Sequence, residues 1–296
     1  EMRSLADRLA ARGLRHVVYS GGEPLLRRDF PAICEAFERH HVKQSLLTNG
    51  VLLERRLPEI GRYVAEIIVS LDGPDAATHD RIRGKSFEQI VRGIQAALKA
   101  APAGQSISLR TVLQNQNCRE IARLVDIARS LGVRRISFLA VDALSGAFGR
   151  NPGASGPWKE NDLLDASEAE EFRRLVATLI STHRDEFETG FISESPSKMF
   201  HIVEYFEAVV GKRPFPRNRC NAPNVSAVIT SSGEIRPCFF LPAFGNVRGR
   251  SVRELSNDPQ IRSTRRDVKE YRLERCTTCV CTLKVRPLDA LLDRFY

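Results

Sequence analysis

Five of the seven cysteines lie in the last third of the 296-residue chain, in a spacing typical of a metal site. Cys220 and Cys238 enclose a predicted β-hairpin, and Cys276 and Cys279 form a Cys-x2-Cys pair with Cys281 two residues further on. One pair from a hairpin and one from a tight turn can place four thiolates around a single centre. This chemistry leaves structural Zn(Cys)4 and an iron–sulfur cluster both open, and the spacing alone favours zinc.

A second set of reactive groups follows the predicted strands, in the segments SGGEP, TNG, SLDG, VLQNQN and AVD. Gly21 and Gly22 would let backbone N–H and C=O groups approach a ligand closely, and Glu23 beside them would accept a hydrogen bond from an ammonium group. Arg83 could hold a carboxylate with two parallel hydrogen bonds. Small polar groups come from Asn49, Ser70 and Asp72. Together these residues would suit an amino-acid-like ligand.

The elements that position these groups alternate in type along the first half of the chain. Strands are predicted over 16–20, 44–48, 66–71, 106–113 and 134–141, with helices over 29–41, 52–62, 86–100 and 117–130. Such alternation predicts an α/β fold with parallel strands and outer helices, whose strand ends meet at one edge.

After Asp142 the pattern changes. Residues 144–157 are rich in Gly, Ser and Pro and predict a loop, helices are expected over 167–188 and 197–211, and VSAVITSSGEIRPCFF predicts a hairpin. We therefore expect a barrel-like domain over 1–143, a linker and helical connection over 144–215, and a small α+β cysteine-rich domain over 216–296.

The segments GGEP, TNG and SLDGPDAATHDRIRG, in this order, resemble the core of a radical S-adenosylmethionine (SAM) enzyme. The resemblance covers residues 1 to about 142 and implies a partial (β/α)6 barrel. It also implies that Gly21, Gly22, Glu23 and Pro24 contact the methionine end of SAM, with Ser70 and Arg83 as further SAM-binding positions.

One family motif is missing from the sequence. Members carry Cys-x3-Cys-x2-Cys after the first strand, and this motif holds the 4Fe–4S cluster that cleaves SAM. The chain contains no such motif, so we expect its cysteines to lie upstream of residue 1, and we expect the chain as given to be inactive on its own. Cys34 and Cys118 read as ordinary helix thiols.

The tail resembles the twitch domain, a short form of the SPASM domain, which binds an auxiliary 4Fe–4S cluster. The resemblance implies Cys220, Cys238, Cys276 and Cys279 as its ligands, with Cys281 as an alternative to Cys279. This resemblance favours an iron–sulfur cluster over zinc.

The resemblance implies SAM-derived radical chemistry at a C–H bond, most often oxidative maturation of a peptide, with flavodoxin or ferredoxin as electron donor. Oxidation of a small molecule such as an amino sugar is the alternative, and an inactive binding protein with structural zinc is a third interpretation. Sulfatase-maturing relatives carry Asp after the second twitch cysteine, where this chain has Phe239. Asp142 is a weak candidate substrate contact, with loop capping as its simpler role.

The composition limits the kinds of partner that the chain is expected to bind. The formal net charge is +9, but the basic residues are scattered and have little aromatic interleaving, which gives no support for nucleic-acid binding. No apolar run approaches the roughly 20 residues of a membrane span, and no export signal is visible. We expect a cytoplasmic protein without disulfides.

Overall fold

The computed structural model describes residues 1–142, 144–145, 147, 162–281 and 283–285. Most of the predicted loop over 144–157 lies outside the described residues.

The first half of the chain forms a five-stranded parallel sheet in the order β1-β2-β3-β4-β5. All five predicted strands are present, with ends within two residues of the prediction. They are β1 (His16–Tyr19), β2 (Lys43–Thr48), β3 (Glu66–Ser70), β4 (Ser106–Leu113) and β5 (Arg135–Ala140).

Helices precede β1 and connect the strands, as the alternation predicts. They are α1 (Met2–Ala10), α2 (Phe30–Glu38), α3 (Leu53–Ile60), α4 (Ala76–Arg83), α5 (Phe87–Ala100) and α6 (Ile121–Leu131). The sequence analysis did not predict α4 as a helix. Its N-terminus is fixed by Asp75, whose side chain accepts a hydrogen bond from the Thr78 backbone N–H at 2.9 Å.

The two faces of the sheet differ in polarity. Alternate residues such as Ile67, Val69 and Leu109 are fully buried in the main core, together with helix side chains from α3, α5 and α6. The residues between them in the strands include Ser45, Glu66, Ser70, Ser108, Arg110 and Ser137. Because successive side chains of a strand point to opposite faces, the inner face of the partial barrel carries these polar side chains.

A further parallel segment extends the sheet beyond β5. The Ile136 N–H donates to the Phe191 carbonyl at 2.8 Å, and the Ser193 N–H donates to the Ile136 carbonyl at 2.9 Å. Three helices flank this segment in sequence, α7 (Ala166–Thr182), α8 (Arg184–Glu188) and α9 (Pro196–Val209). The segment is a single bridge rather than a full strand, so its short sequence carried no recognisable strand pattern.

Helices α7 and α9 pack against the barrel rather than standing apart from it. Phe172 and Val176 of α7, and Val203 and Phe206 of α9, belong to the same core as the sheet. Asp165 and Glu168 form a capping box at the start of α7. The domain limits at 143 and 215 remain predictions.

The C-terminal region contains a small antiparallel sheet in the order β6-β7-β8. Its strands are β6 (Val228–Ile229), β7 (Glu234–Arg236) and β8 (Gly245–Asn246). The predicted hairpin corresponds to β6 and β7, and Gly233 in its turn has φ of 84°, a conformation that favours glycine. The helices are α10 (Ala222–Val225), α11 (Val252–Ser256), α12 (Pro259–Lys269) and α13 (Glu274–Thr277).

Helix α1 joins the two halves of the molecule. Leu5 is buried with Ile235, Phe244 and Leu255 of the C-terminal region, whereas Ala6, the next residue, is buried against α2. Arg8 Nη1 donates to the Val247 carbonyl at 2.9 Å. The first helix therefore lies between the barrel and the cysteine-rich region.

Of the helices in the described ranges, none combines the length and apolar character needed to cross a lipid bilayer.

Candidate functional site

The turn after β1 presents bare backbone at the carboxyl edge of the sheet. Gly21 and Gly22 are exposed, and a Cβ added at either would meet no atom within 4 Å. Gly21 has φ of 129°, which a residue with a side chain rarely adopts. Pro24, buried, starts a 3-10 turn that carries the chain away from the edge. The peptide groups of Gly21 and Gly22 are thus accessible to a ligand.

Three hydrogen-bond donors of the chain itself fix the position of the Glu23 carboxylate. Its Oε1 accepts hydrogen bonds from the Leu25 N–H at 3.0 Å and the Thr48 hydroxyl at 2.8 Å, and its Oε2 accepts from the Asn49 N–H at 2.7 Å. These three donors come from two chain segments. Because they use acceptor positions of the carboxylate, fewer positions remain for the ammonium group that the sequence analysis assigned to Glu23. Glu23 therefore braces the Gly21–Gly22 turn against the end of β2.

Asn49 is itself part of that support. Its side-chain Oδ1 accepts from the Val51 N–H at 2.9 Å, which caps the turn after β2. Ser70, at the end of β3, is half-buried on the polar inner face of the sheet. Both residues lie at the same sheet edge as Gly21 and Gly22.

Asp72 and Arg83 form an ion pair beside this edge. Arg83 Nε lies 2.5 Å from Asp72 Oδ2, and the other carboxylate oxygen accepts from the Val112 N–H at 2.8 Å. The Asp72 side chain is 3% exposed and that of Arg83 is 30% exposed. Asp72 is thus a buried anchor that orients Arg83, whose terminal Nη groups remain the ones able to reach a carboxylate.

Asp142, after β5, caps its own loop. Its side chain accepts hydrogen bonds from the Leu144 N–H at 3.2 Å and from the Ser145 hydroxyl. This is the simpler of the two roles that the sequence suggested. Burial is the main cause of the raised pKa of the Cys281 thiol, and the negative charge of Asp142 adds to it.

The five C-terminal cysteines lie close to one another. Burial raises the pKa of Cys276 to about 11 and that of Cys279 to about 12, and the charges of neighbouring cysteines add to both shifts. Burial also raises the pKa values of Cys238 and Cys281, and in each case Cys220 adds to the shift. The Cys279 thiol donates to the Cys281 carbonyl at 2.9 Å. By contrast, Cys34 and Cys118 are buried in the main core.

The last cysteine reaches the barrel. Val280 packs against the main core, and charges from Lys198 of α9 and Arg110 of β4 act on Cys281. Nearby, Glu194 accepts from the Phe138 N–H at 2.8 Å, and burial raises its pKa to about 7. The sequence analysis missed Arg110, Glu194 and Lys198. Strand alternation identifies Arg110 as an inner-face residue, but nothing local in the sequence marks the other two.

The residues fit the groups that the sequence resemblance implies. Accessible glycine backbone and the Arg83 guanidinium suit an amino acid moiety. In the part of the chain that the structure describes, no three His, Cys, Asp or Glu side chains converge as a single ion requires. Cysteine thiolates hold iron–sulfur clusters, and the C-terminal cysteines supply that kind of ligand.

A cavity of about 840 Å³ opens at the opposite end of the sheet. It is lined by residues at the amino ends of the strands, including His16, Lys43, Glu66 and Arg135. Because reactive groups in parallel α/β folds gather at the carboxyl ends, this cavity lies apart from the candidate site.

Comparison with protein families decides between these interpretations. Residues 1–128 match the radical SAM superfamily, and residues 220–280 match SPASM, an iron–sulfur cluster-binding domain. Residues 1–128 therefore carry a radical SAM domain, and residues 220–280 carry a SPASM domain. These two domains imply SAM and 4Fe–4S clusters as cofactors, so the zinc interpretation of the tail is not supported.

Two relatives of this chain are named for different products, heme and the bacteriocin subtilosin. The AdoMet-dependent heme synthase of Methanosarcina barkeri is 26% identical over 294 residues, covering 94% of this chain and 78% of the relative. The antilisterial bacteriocin subtilosin biosynthesis protein AlbA of Bacillus subtilis is 26% identical over 272 residues, covering 88% of this chain and 53% of AlbA.

A solved structure shares the fold. It is described as native anSMEcpe with bound AdoMet and Kp18Cys peptide, and it superposes with a TM-score of 0.65 at 18% identity, over 95% of this chain and 79% of the other. At this identity the likeness establishes the fold, a partial α/β barrel followed by a cysteine-rich domain.

Proposed function

We propose that this protein is an enzyme that oxidatively modifies a peptide or protein. The observation that carries the proposal is the meeting of the cysteine-rich tail with the barrel, where Val280 packs against the main core and the charges of Arg110 and Asp142 act on Cys281. AlbA and anSMEcpe, both associated by name or title with peptides, support the substrate class.

The residues of the chain divide into two roles. When bound, SAM and its reduced cluster supply a radical that removes a hydrogen atom from a C–H bond of the substrate. The carbonyl groups of Gly21 and Gly22 would accept hydrogen bonds from the SAM ammonium group, and the Arg83 Nη groups would donate to its carboxylate. Glu23 and Asp72 hold these groups in place. Cys220, Cys238, Cys276 and Cys279 would hold the auxiliary cluster, with Cys281 as the alternative fourth ligand.

Tetrapyrrole modification is a second candidate. The alignment covers 78% of the heme synthase relative but only 53% of AlbA. In addition, the charges of Arg110 on the inner face of the barrel and of Lys198 in α9 both act on Glu194, and two such cations would suit the carboxylates of a porphyrin substrate.

The test uses the product of the complete gene, purified and reconstituted without oxygen and then mixed with SAM and a reductant. We expect 5′-deoxyadenosine, measured by chromatography, and with the correct peptide a mass decrease equal to two hydrogens. Arg83→Met should abolish most 5′-deoxyadenosine formation, whereas Arg81→Met, on the same helix, should not.

Two results would count against the proposal. Absence of 5′-deoxyadenosine with full iron loading would contradict the reaction class. Turnover of an iron porphyrin, with no change in peptides encoded near the gene, would favour the tetrapyrrole candidate instead.

A further inference from the structure

One face of helix α9 lies against the cysteine-bearing segment. Lys198 and His201 are three residues apart in α9 and therefore share a face. The His201 ring Nε2 lies 2.7 Å from Asn218 Oδ1, and Asn218 Nδ2 donates to the Cys279 carbonyl at 2.5 Å. Asn218 is buried, so this connection between helix and cysteine segment is shielded from solvent.

The Lys198 ammonium group lies within electrostatic range of three of the cysteines. Burial lowers the pKa of Lys198, whereas negative charge on Cys281, Glu194, Cys279 or Cys220 favours its protonated form. Arg110 of β4 also acts on Cys281. Two cations, one from α9 and one from the sheet, therefore border the cysteine group on its barrel side, with Glu194 and Asp142 as the acidic neighbours.

A cation at this place has a defined effect on an iron–sulfur cluster. Reduction adds one negative charge to a cluster that thiolate ligands already make negative. In a partly buried site that charge is weakly screened, so a fixed ammonium group stabilises the reduced form more than the oxidised form. Charge and hydrogen bonding around the sulfurs are among the factors that set the potential of such clusters.

We propose that Lys198 raises the reduction potential of the iron–sulfur cluster held by the C-terminal cysteines. The proposal rests on the proposed function only in that these cysteines hold a cluster. It assigns to α9 a role in the redox chemistry of the tail, beyond its packing in the barrel core.

The experiment is a redox titration of the reconstituted 296-residue chain, followed by electron paramagnetic resonance. Because the chain contains no Cys-x3-Cys-x2-Cys motif, the signal reports the C-terminal cluster. Lys198→Met removes the charge, Lys198→Arg keeps it, and Lys212→Met removes a lysine that pairs with Glu170 at 3.5 Å beyond the other end of α9. Iron and sulfide contents are measured first for every variant.

We expect Lys198→Met to lower the equilibrium constant for reduction by about tenfold, which is about 59 mV for a one-electron couple. Lys198→Arg and Lys212→Met should stay close to the wild-type potential. If Lys198→Met loses the cluster while Lys198→Arg retains it, the measured iron and sulfide contents, rather than the potential, support the need for a cation at this position.

Three results would overturn the proposal. The first is an unchanged reduction potential in a fully loaded Lys198→Met protein, and the second is an equal fall of the potential in Lys198→Met and Lys212→Met. The third is loss of the cluster from both Lys198 variants, because that loss would indicate a packing role for Lys198. Absence of iron from the wild-type chain would instead contradict the cysteine assignment, and this failure is visible before any titration.

Discussion

The Glu23 carboxylate accepts hydrogen bonds from the end of the neighbouring strand β2 and from its own turn. Hydrogen bonds to a charged group each contribute about 1.5–3 kcal/mol when they are well formed. This residue therefore fixes the position of Gly21 and Gly22, whose flexible backbone would otherwise lose entropy on binding a ligand. Preorganisation, rather than ligand contact, is the principal role that the geometry supports.

A single hydroxyl tests this role. Thr48→Val removes the donor to Glu23 Oε1 while keeping the side-chain shape. We expect SAM to bind about fivefold to tenfold more weakly to the reconstituted product of the complete gene, measured by equilibrium dialysis. Thr111→Val is the matched control, because Thr111 is equally buried and donates to the Leu71 carbonyl at 2.6 Å, away from Glu23. Equal weakening in both variants would contradict the specific role of Thr48.

At the level of elements, sequence patterns predicted the parallel sheet well because strand and helix periodicities are local. Gly21, Asn49 and Asp72 were correctly placed at one edge for the same reason. The partners of Glu23 were not predictable, since Thr48 and Asn49 belong to a different strand, and the sequence does not say which donors a carboxylate will meet. Likewise Lys198 meets the cysteines through the packing of α9, which no spacing encodes.

The segment after α8 shows how a short element can place a titratable group. Ile192 pairs with Ile136, and the next ladder position of β5, the Phe138 N–H, is taken by the Glu194 side chain instead of a backbone carbonyl. The carboxylate is thereby drawn into the protein beside Arg110 and Lys198. Burial outweighs these two cations, and its pKa rises to about 7.

This shift predicts a pH dependence of stability. An acid whose pKa is raised by folding binds its proton more tightly when folded, so stability is highest below the unfolded pKa and falls as the pH rises toward 7. We expect the free energy of unfolding of the cluster-free chain, relative to Glu194→Gln, to fall by about 3 kcal/mol between pH 4.5 and pH 8.

Denaturant unfolding at several pH values measures the effect. Glu188→Gln, an exposed residue at the end of α8, serves as control and should follow the wild-type curve. Parallel curves for wild type and Glu194→Gln would show that Glu194 does not titrate as described.

At the scale of the whole molecule, the two ends of the described chain meet through α1. Leu5 contributes to the core of the cysteine-rich region and Ala6 to the packing against α2, so one helix belongs to both halves. The Arg248 guanidinium also pairs with Glu1 at 2.5 Å, although this pair is exposed and contributes little. The apolar contact of Leu5 is therefore the stronger attachment.

Removing that contact should loosen one half selectively. Leu5→Ala takes a buried side chain out of the smaller core, and such changes typically cost about 2–5 kcal/mol. We expect faster hydrogen exchange in β6–β8, with β2–β4 unchanged, as measured by mass spectrometry. Ile33→Ala is the control, because Ile33 is equally buried but contacts α1 from the barrel side. Uniform acceleration across both sheets would indicate global destabilisation instead.

The position of α1 has a consequence for protein engineering. The predicted domain limit at residue 215 would suggest that the cysteine-rich tail can be exchanged between barrels as one continuous segment. In this protein, Leu5 and Arg8 of α1 pack against and hydrogen-bond to the tail. A graft of residues 216–285 alone would therefore leave an apolar gap and lose the donor to the Val247 carbonyl. The transplantable unit is discontinuous, and a chimera needs the first helix from the same donor as the tail.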